Sequence, residues 1–154
     1  MAERKVSSIL IGVAGEYFVA AELSNLGYVA SVTLRNTKGI DIIATNAAGT
    51  KTINIQVKTK RSGKRKWILS EKAESLRDKN IFYVFVALKS GKIRPDYFIC
   101  PSSDVARSLK KEHEKWIATP GRDGRKHKES SVRNWFDEKN KYLERWDLLG
   151  LDEK

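Results

Sequence analysis

The sequence has little cysteine or histidine and no long apolar run among its 154 residues. A single cysteine, Cys100, excludes an intramolecular disulfide and fits the reducing environment of the cytoplasm. Its spacing from His113 and His127 matches no zinc-binding pattern, and its apolar surroundings argue against a Cys–His nucleophile pair. No stretch reaches the roughly 20 apolar residues that cross a bilayer, so the sequence predicts no membrane-spanning segment.

Acidic side chains are scarce relative to basic ones. The chain has 30 Lys and Arg against 19 Asp and Glu, which gives a formal net charge of +11. Such an excess attracts polyanions through long-range electrostatics and the release of counterions. Nucleic acid is therefore the expected partner. An anionic membrane surface is the competing interpretation, but no segment combines a strongly basic helix face with a wide apolar one.

Hydrophobic residues make up 40% of the sequence, which suits one folded domain over residues 1–154. Apolar spacing and turn residues predict helices over 8–26, 71–78 and 102–116, the last capped by Ser102 or Ser103, and strands over 28–34, 40–45, 51–59, 81–88 and 95–100. This order predicts an α/β fold, with helices packed around a mixed sheet. Residues 117–154 are predicted to be a loop and a tail whose aromatic side chains pack on the body.

Two of the predicted strands have different patterns. The continuous apolar run over 81–88 is typical of a strand that is buried on both faces. The segment INIQVK alternates, which predicts one apolar face and one polar face. The apolar face holds Ile53, Ile55 and Val57, and the polar face holds Asn54, Gln56 and Lys58.

Asp41 stands between two isoleucines in the predicted strand 40–45. If that strand pairs with 51–59 as a hairpin, Asp41 lies near Gln56. An ionised carboxylate among isoleucines is costly unless a positive group meets it. Lys58 or a bound divalent cation could fill that role.

The first predicted helix carries a second acid of interest, Glu16. The helix is predicted from apolar residues at three- and four-residue spacing, and Gly27 supplies its stop. These apolar residues are Leu10, Val13, Ala14, Tyr17, Phe18 and Ala21. Glu16 has small and apolar neighbours on the helix, which places its carboxylate at the edge of the buried face. It is either a partly exposed helix acid or a fourth member of the group formed by Asp41, Gln56 and Lys58.

The order of a helical Glu, a Gly-x-Asp and a strand ending in Gln-x-Lys resembles the PD-(D/E)XK nuclease superfamily, above all its Holliday-junction-resolvase-like and Mrr-like branches. The likeness is carried by GEYFVAAELSNLGY, GIDIIA and IQVKTKR. Two positions depart from the pattern: Ile40 stands in place of proline, and Gln56 replaces the second acid, as it does in the Mrr-like branch. The resemblance implies a restriction-endonuclease-like three-layer sandwich with a mixed central sheet flanked by helices.

The resemblance also implies hydrolysis of DNA phosphodiester bonds with Mg²⁺ or Mn²⁺. The implied ligands are Asp41, the Gln56 side chain, the Val57 carbonyl and Glu16, the last binding directly or through water. Lys58 would position the attacking water and offset charge on the phosphorane, which makes Asp41, Gln56, Lys58 and Glu16 the implied catalytic residues. Nucleases that cut two strands often act as symmetric pairs, so the likeness implies a homodimer.

A run of positive side chains follows Lys58. It consists of Lys60, Arg61, Lys64, Arg65 and Lys66. The run begins beside the implied site, where a scissile strand must be held, so we predict that it contacts DNA phosphates. A solvated lysine-rich hairpin is the alternative. Trp67, which comes next, could stack on a base, but its position between strands favours the core.

Two functions of different classes are compatible with the sequence. The first is a metal-dependent endonuclease acting on DNA, with branched or structured DNA among its candidate substrates. The second is a nucleic-acid-binding protein that keeps the nuclease fold without catalysis, with Asp41 paired to Lys58 in place of a metal. Gln56 is the residue that leaves the second open. Cleavage of RNA is a third option.

Overall fold

The computed structural model describes residues 4–34, 37–61 and 63–152. Within these ranges the helices and strands are α1 Ser8–Asn25, β1 Val29–Val32, β2 Ile42–Thr45, β3 Thr52–Arg61, β4 Lys66–Ser70, β5 Ile81–Leu88, β6 Asp96–Pro101, α2 Ser102–Ala118 and β7 Val132–Phe136. Short 3₁₀ helices cover Glu71–Ser75 and Trp146–Leu149. In this part of the chain, none of the helices has the length and apolar character needed to cross a membrane.

Five strands form a mixed sheet in the order β1-β2-β3-β5-β6. β3 and β5 run parallel, and the other neighbours run antiparallel. Helix α1 packs on one face of this sheet, and α2 covers the other together with a second sheet of β4 and β7. The result is three layers around a mixed central sheet, the α/β architecture that the sequence predicts.

The central strand β5 contributes to both faces of the sheet. Its Val84 and Val86 belong to the core beneath α1, and its Tyr83 and Phe85 belong to the core beneath α2. The Phe85 ring stacks on Trp135 of β7 at a centroid distance of 3.8 Å. The prediction of a strand buried on both faces is therefore confirmed.

Alternation along β3 also follows the prediction. Ile53, Ile55 and Val57 are buried, and Asn54, Gln56 and Lys58 are partly exposed. β2 and β3 pair as an antiparallel hairpin in which Ile42 lies opposite Ile55.

Several boundaries differ from the prediction. Asp41 lies immediately before β2 rather than inside it. Helix α2 begins at Ser102, but its hydroxyl makes no capping bond; it is fully buried and hydrogen-bonds to the backbone of Asp78. The predicted helix over 71–78 is only the short 3₁₀ helix Glu71–Ser75.

The apolar side chains that predict α1 are not the ones that α1 buries. Its buried residues are Gly15, Val19 and Leu23, whereas Leu10 is 59% and Tyr17 is 64% exposed. The helix is therefore present where expected but is rotated relative to its apolar pattern.

The tail contains a strand that the sequence does not predict. β7 pairs with β4 over five residues, with Trp67 opposite Trp135. Trp135 and Trp146 are both buried, and Trp67 is buried in the same core as Trp135. The preference of Trp67 for the core over an exposed stacking role is confirmed.

Candidate active site and nucleic-acid interface

Asp41 is fixed at the start of β2 by contacts to the neighbouring strand. Its backbone N–H donates to the Ile55 carbonyl at 2.9 Å, and its side-chain Oδ2 accepts from the Val57 N–H at 2.7 Å. The carboxylate thus takes the place of a backbone carbonyl as the acceptor for Val57. This explains why β2 begins at Ile42, the residue after Asp41. Asp41 Oδ1 has no hydrogen-bond or ion-pair partner among the described residues.

Asp41 shares a cavity of about 250 Å³ with Glu16 of α1. Ser8, Ile9, Gly12, Val13 and Thr33 complete the described lining. This lining contains two carboxylates and no basic side chain. Helix α1 therefore brings the second predicted acid to the same opening as the first.

Gln56 and Lys58 line a different cavity of about 340 Å³, on the side of β4 and the 3₁₀ helix Glu71–Ser75. Val57, which lies between them in the sequence, is the residue that donates to Asp41. The four predicted side chains therefore lie around one short segment of β3, but they line two separate cavities. The two acids line the one on the α1 side, and Gln56 and Lys58 line the one on the side of β4 and the 3₁₀ helix Glu71–Ser75.

Two further side chains of the Lys58 cavity were not predicted from the sequence. Lys72 and Tyr83 line it together with Gln56. Burial raises the pKa of the Tyr83 phenol to about 12, so this group is protonated at neutral pH and is not a base. The alternation of side chains along a strand could have indicated which face of the sheet Tyr83 occupies. Nothing in the sequence indicates that Lys72 lies beside Gln56 and Lys58.

Asp41 and Lys58 do not form an ion pair in the structure. The Asp41 carboxylate bonds to the Val57 amide instead, and Lys58 makes no salt bridge to any described residue. The arrangement in which Lys58 neutralises Asp41 is therefore not the one observed.

The oxygen groups at this site suit a hard divalent cation. The N–H and C=O of one strand residue point to the same edge of the strand, so the Val57 carbonyl is directed to the edge at which Asp41 binds. No three Asp, Glu, His or Cys side chains cluster among the described residues. Mg²⁺ does not require such a cluster, since it usually takes one or two carboxylates and keeps several waters. The donors present fit Mg²⁺ or Mn²⁺.

The position of Glu16 depends on a close contact one residue earlier. Gly15 of α1 packs directly on Thr59 of β3, and a Cβ added to Gly15 would lie 1.7 Å from the Thr59 Oγ1. Only glycine allows α1 to approach the sheet this closely. Gly12, one turn earlier, has no neighbouring atom within 4 Å of an added Cβ.

We expect Gly15→Ala to destabilise the protein by about 1–3 kcal/mol, because the added methyl group overpacks the contact with Thr59. The matched change Gly12→Ala should stabilise it by about 1 kcal/mol, because alanine favours a helix and meets open space. Urea unfolding followed by circular dichroism measures both. Equal effects of the two substitutions would contradict the close contact.

Three side chains of the basic run are available to a ligand. Arg61, Lys64 and Lys66 are exposed and make no ion pair within the described part of the chain. They lie at the end of β3, in the connection, and at the start of β4, where the chain passes from the large sheet to the small one.

The other two basic residues of the run have partners within the protein. The Lys60 ammonium donates to the backbone carbonyls of Lys64 and Lys66. Arg65 forms a 2.5 Å ion pair with Asp96 and lies over the Phe98 ring. These contacts stabilise the β3–β4 connection, so Lys60 and Arg65 are less available to phosphates than their three neighbours.

Comparison with known proteins gives the fold. No protein-family model matches the chain, and no curated protein matches it in sequence. In structure it is similar to the bacterial homing endonuclease I-Ssp6803I, with 15% identity over 95% of this chain and 94% of that one and a TM-score of 0.55. It is also similar to Hjc, a Holliday junction resolvase from Archaeoglobus fulgidus, with 18% identity over 93% of this chain and 98% of that one and a TM-score of 0.51.

Both structural neighbours have PD-(D/E)XK-like nuclease folds, and the likeness covers most of the chain. The restriction-endonuclease-like fold implied by the sequence motifs is confirmed. At 15% and 18% identity the comparison gives the fold alone.

Proposed function

We propose that this protein is a metal-dependent endonuclease that hydrolyses phosphodiester bonds in DNA. The observation that carries the proposal is the state of the Asp41 carboxylate. Its Oδ2 accepts from the Val57 N–H, and its Oδ1 has no partner among the described residues. It lies beside Glu16 and next to the strand segment that carries Gln56 and Lys58. A nuclease-like fold and a formal charge of +11 support DNA as the substrate.

Asp41, Glu16, the Gln56 amide oxygen and the Val57 carbonyl would hold the metal. A divalent cation in such a site polarises the phosphate and lowers the pKa of a bound water. The hydrogen bond from Val57 orients the Asp41 carboxylate before any ligand arrives, which reduces the reorganisation needed on binding. Glu16 approaches from α1 and completes the acidic side of the site.

Lys58 would act on the opposite side of the reacting phosphate. Its side chain lines the second cavity with Gln56 and makes no salt bridge to a described residue. An ammonium there would hold the attacking water and stabilise the negative charge that develops on the phosphorane. We assign Lys58 this positioning and electrostatic role rather than proton abstraction.

A catalytically inactive DNA-binding protein with the same fold is the second candidate, since Gln56 replaces the usual acid. That interpretation expects Lys58 to neutralise Asp41, and no such ion pair is present among the described residues. A neutral amide oxygen still binds a hard cation, although less strongly than a carboxylate does. We therefore favour the enzyme.

Cleavage assays test the proposal directly. Supercoiled plasmid, linear duplex and a four-way junction are incubated with the protein in Mg²⁺, in Mn²⁺ and in EDTA. We expect nicked or linear products with either metal and none in EDTA. The cleavage rates on the three substrates show whether ordinary or branched DNA is preferred. Binding of DNA without cleavage of any substrate in either metal would leave the inactive binding protein as the function.

We expect that replacing Arg61, Lys64 and Lys66 by alanine weakens DNA binding and flattens its salt dependence. Each lost phosphate contact reduces the slope of log affinity against log salt by about 0.9, so the triple variant should lose about 2 to 3. Fluorescence anisotropy of a labelled duplex in EDTA measures this slope. A control variant with alanine at the exposed Lys79, Lys92 and Lys139 removes the same charge elsewhere. Equal slopes for both variants would show that DNA does not bind at the β3–β4 connection.

We also propose that the enzyme acts as a homodimer in a reducing cytoplasm. Two copies would supply one site for each DNA strand. The lone Cys100 is buried, and burial raises the pKa of its thiol well above the ordinary value, so it suits an unreactive core position. Light scattering coupled to size exclusion gives the mass in solution, and a monomer at all concentrations would exclude the dimer.

A further inference from the structure

A second surface, away from the candidate active site, combines aromatic rings with positive charge. It lies where the C-terminal part of α2 meets the loop over residues 119–131. The Trp116 ring of α2 stacks on His127 of the loop at 4.1 Å between centroids, with 18° between the planes. His113, one helical turn earlier, lies 5.6 Å from Trp116.

Trp116 differs from the other tryptophans of the chain. It is 40% exposed, whereas Trp67, Trp135 and Trp146 are no more than 8% exposed. A tryptophan of the core would be expected to bury its ring, as these three do. The stack with His127 therefore leaves part of the Trp116 ring exposed to solvent.

The loop that carries His127 is held in place although it contains no regular secondary structure. The His113 Nε2 and Glu129 Oε1 lie 2.7 Å apart, which fastens the loop to α2 at a second point. Within the loop, the Gly121 N–H donates to the Arg125 carbonyl at 2.9 Å. The stack is thus formed before a ligand binds, which lowers the entropy cost of binding.

The loop that carries His127 is rich in positive side chains. The loop over 119–131 has Arg122, Arg125, Lys126 and Lys128 against Asp123 and Glu129. Both acids have basic partners: Asp123 lies near Arg125, and Glu129 contacts His113 and Arg133. Lys126 and Lys128 have no ion pair within the described residues, so their charge is available to an anion.

A cavity of about 320 Å³ adjoins the stack, within the size range of ligand sites. His113 and Trp116 line it, and so does Asn134 of β7, whose side-chain amide makes no hydrogen bond to a described residue. An amide of this kind can bond to the edge of a nucleobase. Glu112, Arg133 and Ser130 supply further polar groups to the lining.

Strand β4 connects this cavity to the candidate active site. Lys66, its first residue, lines the cavity beside Trp116, and Leu69 and Ser70 at its other end line the cavity of Gln56 and Lys58. Lys66 and Ser70 are four residues apart, or about 13 Å along a strand.

We propose that the surface of Trp116, His127, Lys126 and Lys128 binds unpaired nucleotides of a DNA substrate that lies in the active site. Stacking on aromatic rings together with a basic path for the backbone is the combination by which proteins hold single strands. The inference rests on the proposed action on DNA and narrows it: the substrate carries a single-stranded segment.

Intrinsic fluorescence provides the test, because Trp116 is the one exposed tryptophan among the four described. Oligo(dT) and a blunt duplex of equal length are titrated into the protein in EDTA. We expect oligo(dT) to quench the emission and the duplex to quench it less. The variant Trp116→Phe should lose the quenching, and Trp116→Ala should lower the affinity for oligo(dT) about tenfold. Thermal melting verifies that each variant is folded.

A charge-matched pair of variants separates the surface from general electrostatics. Lys126→Ala with Lys128→Ala should reduce affinity for oligo(dT) more than Lys79→Ala with Lys92→Ala does, at equal net charge. Unchanged quenching in Trp116→Phe, or equal affinities for the two lysine pairs, would overturn the proposal. Binding in EDTA is independent of cleavage. If the protein binds oligo(dT) through Trp116 but cuts no DNA, the proposed nuclease activity is wrong and the proposed binding surface stands. If it cuts DNA but does not bind oligo(dT) through Trp116, the nuclease activity stands and the binding surface is wrong.

Discussion

Asp41→Asn is expected to lower the rate of metal-dependent DNA cleavage by about a thousandfold. The change removes the negative charge of a carboxylate whose second oxygen has no partner within the described chain. Loss of a metal's contribution to the transition state is worth several kcal/mol, and about 4 kcal/mol corresponds to this factor. Single-turnover cleavage of plasmid in Mg²⁺ measures it.

The fold should survive this substitution. The amide oxygen of the introduced asparagine can accept the Val57 N–H as the Asp41 carboxylate does, so the junction between β2 and β3 keeps its hydrogen bond. DNA affinity in EDTA should be equal or slightly higher, because a negative charge is lost. Glu114→Gln, at an exposed position of α2, removes the same charge away from the site. If Asp41→Asn cuts as fast as Glu114→Gln, Asp41 does not hold a metal.

The sequence predicts those parts of the fold in which side-chain pattern and burial agree. The apolar run of β5 and the alternation of β3 are examples, because each position of these strands faces either a core or the site. The hairpin of β2 and β3 follows from Asn46, whose side chain accepts the N–H groups of Thr50 and Lys51 in the turn. These features are local, and local chemistry is what a sequence displays.

β7 is missed because its pattern contradicts its burial. Its inward positions are Arg133 and Trp135, and Arg133 is only 6% exposed. The guanidinium is satisfied there by an ion pair with Glu74 and by backbone carbonyls. A buried arginine resembles a surface residue in the sequence until its partner is known, and Glu74 lies 59 positions away.

The face of α1 is missed for a related reason. The stripe that packs on the sheet passes through Gly15, which carries no hydrophobic signal but permits the closest approach to Thr59. The larger apolar residues Leu10 and Tyr17 therefore mark the wrong side. Glu16 reaches the cavity of Asp41 only because the helix has this rotation.

The sequence likewise predicts some features of the candidate site and not others. Motif spacing indicates Asp41, Gln56 and Lys58, because their strands are adjacent. It does not reveal that Asp41 bonds to the Val57 amide, since that contact depends on where the β2 ladder ends. It also gives no sign that Lys60 and Arg65 are occupied within the protein, because their acceptors are backbone carbonyls and the distant Asp96.

Lys58→Met is expected to lower the cleavage rate by a factor of about a hundred to a thousand. Methionine keeps much of the length and apolar stem of lysine but removes the ammonium that would face the developing charge of the phosphorane. Loss of one such electrostatic group costs this much in enzymes that stabilise an oxyanion. Because the effect falls on the chemical step, single-turnover rates at saturating protein should decrease while DNA affinity changes little.

Lys72→Met is the matched control, because Lys72 lines the same cavity and is exposed. It removes an equal charge from the same opening but lies on the 3₁₀ helix Glu71–Ser75 rather than beside Gln56. We expect its cleavage rate to fall by less than about tenfold, because Lys72 would act only through the overall electrostatic potential of the site. The concentration of Mg²⁺ giving half-maximal rate should be unchanged in Lys58→Met, since Lys58 is not a ligand. A large shift in that concentration, or equal losses in the two variants, would show that Lys58 acts by holding the acidic side of the site together and not on the reacting phosphate.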